Sequence, residues 1–414
     1  NGQLEGGISF AIKRGVGSGL LSSGQSKKHL FKIGPLSADR TVTIDNDEWQ
    51  AVQGAIPETA TWEKDTRIHV TSNLTVAEGV TLLIRSGCVV KLAPKIEVTV
   101  LGRLIVEGTR EAPVVFCPET PDVPWGGITL KGDSASTETS WMFVTGSGGN
   151  PWWFVANNIA GTHRQEQAAF FLGEGAKGTF SDCFFIDNAG QAFHGETSQL
   201  TLDRCVVQRC QTVGQFNGGS VTIRDSALID FPSDSDTFED GDNDALYFTL
   251  GEHKITGTLI GWCKDDGIDA GGDSPGTVHV SGCWIESCFH EGLALSGADK
   301  IVHVLDSVII NCGQAIEVGY LSPNVTLERC LLTGNGIGAR FGDNYDGAHL
   351  GFLSMTSSVS IFNQRDVWGM SRNLWAEKIS RMKIEGNHLS RLHDSFPDNR
   401  VWEPAEHPGL LSPF

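Results

Sequence analysis

One nine-residue phrase recurs through the second half of this chain and decides what it can fold into. FSDCFFIDN, LDRCVVQRC, IRDSALIDF, ITGTLIGWC, VSGCWIESC, VLDSVIINC and LERCLLTGN align from Phe180 onward. One column holds Cys183, Cys205, Ser226, Thr258, Cys283, Ser307 and Cys330, at steps of 22, 21, 32, 25, 24 and 23 residues. Five positions later a second column holds Asn188, Cys210, Phe231, Cys263, Cys288, Cys312 and Asn335. Such a period marks a solenoid, and about 22 residues suit three short strands and three corners per coil. Length alone would allow two or three domains, but a repeat array adds coils without adding separate cores.

The same columns account for the cysteines. Eight of the ten fall in them, where a narrow core wants small apolar side chains. Free buried thiols are expected, because no CxxC pair or Cys/His cluster has metal spacing.

Upstream, IHVTSNLTVAEGVTLLIRSGCVVKLAPKIEVTVLGRLIVEGTREAPVVF alternates apolar and polar residues from Ile68, broken by Gly or Pro at each corner. This stretch resembles the opening coils of the pectin-lyase-like superfamily. The resemblance implies an all-β fold, a single-stranded right-handed parallel β-helix with an N-terminal cap. Residues 1–67 form the extension and capping segment, 68–390 the β-helix and 391–414 a tail. Within the cap, Asp45, Glu48, Trp49, Val52 and Ile56 have the spacing of a capped amphipathic helix over the open end of the stack. Two insertions break the period, 146–167 and 232–245. The first carries Trp152, Trp153 and Phe154, which either stack on sugar rings or pack against the wall. After Arg340 the repeat decays, and the tail is expected to fold back outside or over the end.

Composition narrows the partners. A net charge of −19 argues against nucleic acid and suits divalent cations or neutral substrates. No apolar run approaches a membrane span, and the opening NGQLEGG does not read as a secretory leader.

Three successive coils bring acids to one edge: DGDNDALYFTLG, CKDDGIDAGG and CFHEGLALSG, within 240–297. Set in register, one outward stack is Tyr247, Asp269, Ala294, Glu317 and Arg340, with His194 below. A neighbouring corner stack is Asp244, Asp266, Glu291 and Gln314. Coils about 4.8 Å apart make these carboxylates neighbours, and they cannot all ionise freely. Either a cation sits between them, or one holds a proton as a general acid must, or Lys264, His290 and Arg340 neutralise them. A cation would be calcium on Asp242, Asp244 and Asp266.

Asn243-Asp244, then Asp265-Asp266, then Phe289-His290-Glu291-Gly292 resemble the Asn-Thr-Asp, Asp-Asp and Gly-His-Gly motifs of polygalacturonase-like glycoside hydrolases. Asp266 stands 22 residues after Asp244, and His290 stands 25 after Asp265. The resemblance implies an inverting hydrolysis, with Asp265 or Asp266 as acid, Asp244 in the base pair, and His290 tuning them. Asp269 and Glu291 complete the catalytic candidates; Lys264, Tyr247, Glu317, Arg340, His194, Trp152 and Trp153 are the candidate substrate contacts. Phe289 and Glu291 stand where that family has glycines, and its Arg-Ile-Lys element, which binds uronates, is absent. The expectation is a secreted or cell-surface enzyme on a polysaccharide or oligosaccharide. A calcium-dependent lyase and a non-catalytic calcium- or glycan-binding module stand as alternatives.

Overall fold

In the computed structural model, residues 48–159, 163–231, 241–345, 347–369 and 380–403 are described in full, and short strands between 2 and 42 by their backbone. The chain is a parallel β-solenoid of about 13 turns. Among the described residues 36 coil strands form one continuous network, in which each strand away from the two ends pairs in parallel with its equivalents one coil before and after. Gly2–Leu4, Ile8–Phe10, Lys27–Ile33 and Leu36–Val42 form a separate antiparallel sheet.

The recurring phrase is one short wall between two sharp corners. In FSDCFFIDN, the strand Phe184–Ile186 lies between Asp182 (φ 54°) and Asp187 (φ 57°), both left-handed. Their equivalents Arg204, Asp225, Asp306 and Arg329, and Arg209, Asp230 and Asn311, share that conformation. Asp and Asn tolerate it best among residues with a side chain. Ion pairs one coil apart brace these corners: Arg204 to Asp182 at 2.8 Å, and Arg329 to Asp306 at 2.7 Å.

Both columns are internal ladders. Ser226 Oγ accepts the Cys205 N–H (3.0 Å), Ser307 that of Cys283 (3.1 Å) and Ser358 that of Cys330 (3.1 Å). Asn335 Oδ1 accepts the Cys312 N–H at 2.9 Å, while its Nδ2 donates to Ile309 O at 3.1 Å. Thus a serine or asparagine satisfies a backbone donor in a dry corner, and where a cysteine takes the place its sulfur meets the same backbone position, Cys205 that of Cys183 and Cys210 that of Asn188. All ten cysteines are buried and free.

The structure corrects one element. The stretch read as a capping helix contains the strand Gln50–Ile56, which pairs in parallel with Arg67–Val76. Val52 and Ile56 are four residues apart, a spacing that fits period 2 as well as 3.6, and Gly54 (φ 77°) marks an irregularity in the register there. Residues 146–167 leave the coil and contain the short helix Trp153–Ala156. Of the insertion at 232–245, residues 232–240 lie outside the described set. At the other end Arg400–Val401 pairs with His388–Leu389, so the described part of the tail extends the stack. Among the described residues, no helix is long and apolar enough to cross a membrane.

Candidate active site

The wall that follows the asparagine and cysteine column carries the site. Its register runs His194, Gln215, Tyr247, Asp269, Ala294, Glu317, Arg340 and Trp368, one residue per coil. Alternation buries Leu246, Ile268, Leu293 and Ile316 between these positions. At the adjoining corner Glu291 pairs with Gln314. There the Asp266 N–H donates to Asp244 Oδ1 (3.2 Å), and the Glu291 N–H donates to Asp266 Oδ1 (2.8 Å). Both expected stacks therefore exist, and the corner carboxylates serve as caps for the coil above.

Together they line a cleft of about 240 Å³. All six catalytic candidates, Asp244, Asp265, Asp266, Asp269, His290 and Glu291, are in its wall, with Asp242, Tyr247 and Glu317. His290 Nδ1 lies 3.4 Å from Asp265 Oδ1, 3.8 Å from Asp266 Oδ1 and 2.5 Å from Glu291 Oε2. Gln314 Nε2 donates to Glu291 Oε1 and to Glu317 Oε2, the latter at 3.1 Å.

Burial dominates the electrostatics. It pushes Asp244 up to about 6, helped by Asp265 and opposed by His163. Asp266, Asp269 and Glu291 are held well above the usual carboxylate range by burial first, then by neighbouring carboxylates: Glu291 and Asp244 act on Asp266, Asp244 and Asp242 on Asp269, and Glu317 on Glu291. Burial works against a charged His290, but Asp265, Asp266 and Glu317 outweigh it and raise its value. Burial thus favours the protonated form of these carboxyls, the form a general acid requires.

Several expected contacts lie elsewhere. His194 is fully buried, beside Glu196 Oε1 at 2.7 Å. Trp153 packs with Phe154 and Phe171, and its Nε1 donates to Glu97 Oε1 (2.9 Å), so it offers no face to a sugar. Trp152 is 65 % exposed but does not line the cleft. Lys264 Nζ stands 5.3 Å from the Phe289 ring centroid, and Arg340 lies behind Glu317 at 2.7 Å; neither lines the cleft.

Four lining residues escape the repeat alignment: His163, Tyr320, Asp343 and Tyr345. His163 belongs to the 146–167 insertion. Its N–H donates to Gln215 Oε1 (2.9 Å), its ring stacks on Tyr247 (centroids 3.6 Å apart), and its Nδ1 lies 3.4 Å from Asp242 and 3.7 Å from Asp244. Next to it, Arg164 Nη1 donates to Gly241 O (2.7 Å) and Asn243 Oδ1 (2.9 Å), tying the insertion to the acidic coil. Asp343 accepts the N–H groups of Tyr320 (2.6 Å) and Tyr345 (2.9 Å). The chain has three tyrosines, and all three line the cleft.

Two ligand sets could hold a cation, His163 with Asp244 and Asp269, and Asp265 with Asp266 and His290, each with donor atoms within 4.8 Å of one another. The expected calcium ligands Asp244 and Asp266 divide between these sets, and Asp242 belongs to neither.

Two family models match the chain. One, a pectate-lyase like beta helix domain, covers residues 54–147; the other, a right handed beta helix region, covers 217–352. No curated protein matches its sequence. Similar solved structures include a periplasmic alginate epimerase, 10 % identical over 78 % of this chain and 77 % of that one, with a TM-score of 0.34. The A-module of an Azotobacter vinelandii mannuronan C-5 epimerase is 12 % identical over 83 % and 91 %, with a TM-score of 0.29. The Erwinia carotovora polygalacturonase is 10 % identical over 87 % and 99 %, with a TM-score of 0.39.

Proposed function

From the premise that this chain belongs to the pectate-lyase-like right-handed β-helix proteins, we propose that its acidic cleft cleaves a polysaccharide outside the cytoplasm by acid/base glycoside hydrolysis. The observation that carries this reading is the convergence of Asp244, Asp265, Asp266 and His290 from three successive coils on one cleft. Asp266, protonated through burial and the nearby Glu291 and Asp244, gives its proton to the glycosidic oxygen. Asp244, whose carboxylate His163 stabilises from opposite, takes a proton from the attacking water. His290 stands against Asp265 and Glu291, which favours the positive imidazolium and sets the proton balance of the acid pair.

A second reading rests on the two ligand sets that could hold calcium. A bound ion would neutralise a substrate carboxylate for β-elimination. Neither Lys264 nor Arg340, the basic side chains near this wall that could take the proton in such an elimination, lines the cleft, so hydrolysis is the better fit.

The test is a panel of neutral, amino and uronic-acid polysaccharides, with calcium and with chelator. New reducing ends without ultraviolet absorbance, lost in Asp266→Asn, support hydrolysis. Absorbance from unsaturated products that requires calcium would replace it with the lyase, and silence across the panel would remove both.

A further inference from the structure

The charge of the cleft is far from balanced, and this bears on what it can hold. Eight of its lining residues are carboxylic acids. Arg340, the nearest guanidinium, is 7 % exposed and already donates to Gln314 Oε1 (2.9 Å), Glu317 Oε2 (2.7 Å) and Gly342 O (2.7 Å). Lys300, at 1 % exposure, donates to the carbonyls of Thr249 and Ser274. Among the described residues no lysine or arginine lines the cleft.

Two oxygens of the buried acids are also short of donors. Asp265 Oδ1 and Glu291 Oε2, in cleft-lining residues 3 % and 1 % exposed, have one neighbouring side-chain donor between them. The Nδ1 of His290 stands opposite both, at 3.4 and 2.5 Å, yet one ring nitrogen has a single hydrogen to give. A ligand that brings positive charge and several donors would relieve both deficits.

We infer that the glycan taken by this cleft is an amino-sugar polymer with free ammonium groups, held by Asp265, Asp269, Glu291 and Glu317. The inference rests on the reading of the cleft as a glycan site. An ammonium offers three N–H donors, and its hydrogen bonds to carboxylates are charge-assisted. A uronate would add negative charge to a wall that has no cation to spare. A neutral sugar could hydrogen-bond there but brings no charge that would favour the ionised form of Asp269, Glu291 and Glu317, whose carboxyls burial shifts toward the protonated form.

Calorimetry tests this on full-length Asp266→Asn protein, in chelator, with glucosamine hexamers, their N-acetylated counterparts and galacturonate hexamers. The free-amine hexamer should bind at least about tenfold tighter than the acetylated one, a modest share of what a buried charge pair can contribute. Galacturonate should not bind, and raised salt should weaken the amine complex. Glu317→Gln and Asp269→Asn, each added separately, should lower amine affinity at least about tenfold on the same scale, and Glu317→Gln, by loosening Arg340, should favour galacturonate. Equal or tighter binding of the acetylated or galacturonate hexamer overturns the inference. So does spermine bound as tightly as the hexamer, which would mean a general polycation surface. Cleavage of neutral glycans without amine preference would leave the hydrolase and remove this inference; amine-selective binding without cleavage by the unmodified protein would do the reverse.

Discussion

Asp266 sits one coil beyond Asp244 and is joined to it by its own backbone: its N–H donates 3.2 Å to Asp244 Oδ1. The carboxyl of Asp244 is therefore part of the coil-to-coil scaffold and part of the cleft at once. An asparagine there could keep the hydrogen bond and remove the charge, which separates the two roles.

Burial raises Asp244 from the ordinary 3.8 to about 6, with Asp265 adding to the rise and His163 opposing it. Between these values the folded chain holds a proton that the unfolded chain has released, so this stability contribution is lost as pH rises through about 6. Asp244→Asn should accordingly gain in stability relative to the unmodified protein between pH 4 and 7, by on the order of 3 kcal/mol. Thermal melts of both proteins across that range measure it. A difference that stays constant with pH would mean that Asp244 ionises freely in the fold.

Asp265→Asn and Asp266→Asn separate catalysis from scaffold. Each should lower turnover by about 10²- to 10⁴-fold, the range for losing a positioned acid or base. Melting temperature should hold or rise, since each change removes a buried carboxyl from a crowded wall. A lower melting temperature in the variants, with calcium raising that of the unmodified protein alone, would make the pair a metal staple.

Much of this site was legible because register in a solenoid follows from repeat alignment. With Cys263, Cys288 and Cys312 in one column, aligning the strands GID, GLA and AIE that follow them brings Asp269, Ala294 and Glu317 into one stack, and they do stack, six, six and five residues after their cysteines. Where the chain leaves the period, spacing no longer fixes position. His163 reaches Tyr247 from an insertion, and Tyr345 is set by an Asp343 beyond the recurring phrase, so no spacing predicts either. Trp153 and Trp152 are adjacent, yet one is buried and the other exposed, because a short helix turns them apart. Arg340 has the right register but the wrong neighbour: Glu317 and Gln314 occupy its guanidinium.

The ten cysteines give a direct check on the core. All are buried and free, and burial pushes Cys210 up to about 12 and Cys330 up to about 11, where little thiolate exists. A thiol reagent should find almost none in the native protein and all ten in denaturant, and reductant should leave the melting temperature unchanged. Fewer than ten thiols after unfolding without reductant would mean disulfides.

Asn335 tests what closes the corner. It is 3 % exposed, accepts the Cys312 N–H at 2.9 Å, and donates to Ile309 O at 3.1 Å and Asn363 Oδ1 at 3.0 Å. Asn335→Ala strands a buried backbone donor and a carbonyl together, at about 1–3 kcal/mol for each group left without a partner. Asn324 is the control: it is exposed, and its side chain makes one long bond, 3.3 Å to Ser322 O. Asn324→Ala should change stability by less than about 0.5 kcal/mol. The urea midpoint should therefore fall clearly for the first and hardly for the second. Equal shifts would mean that the corners are held by packing of their cysteines and apolar residues, and that the asparagine ladder only occupies space.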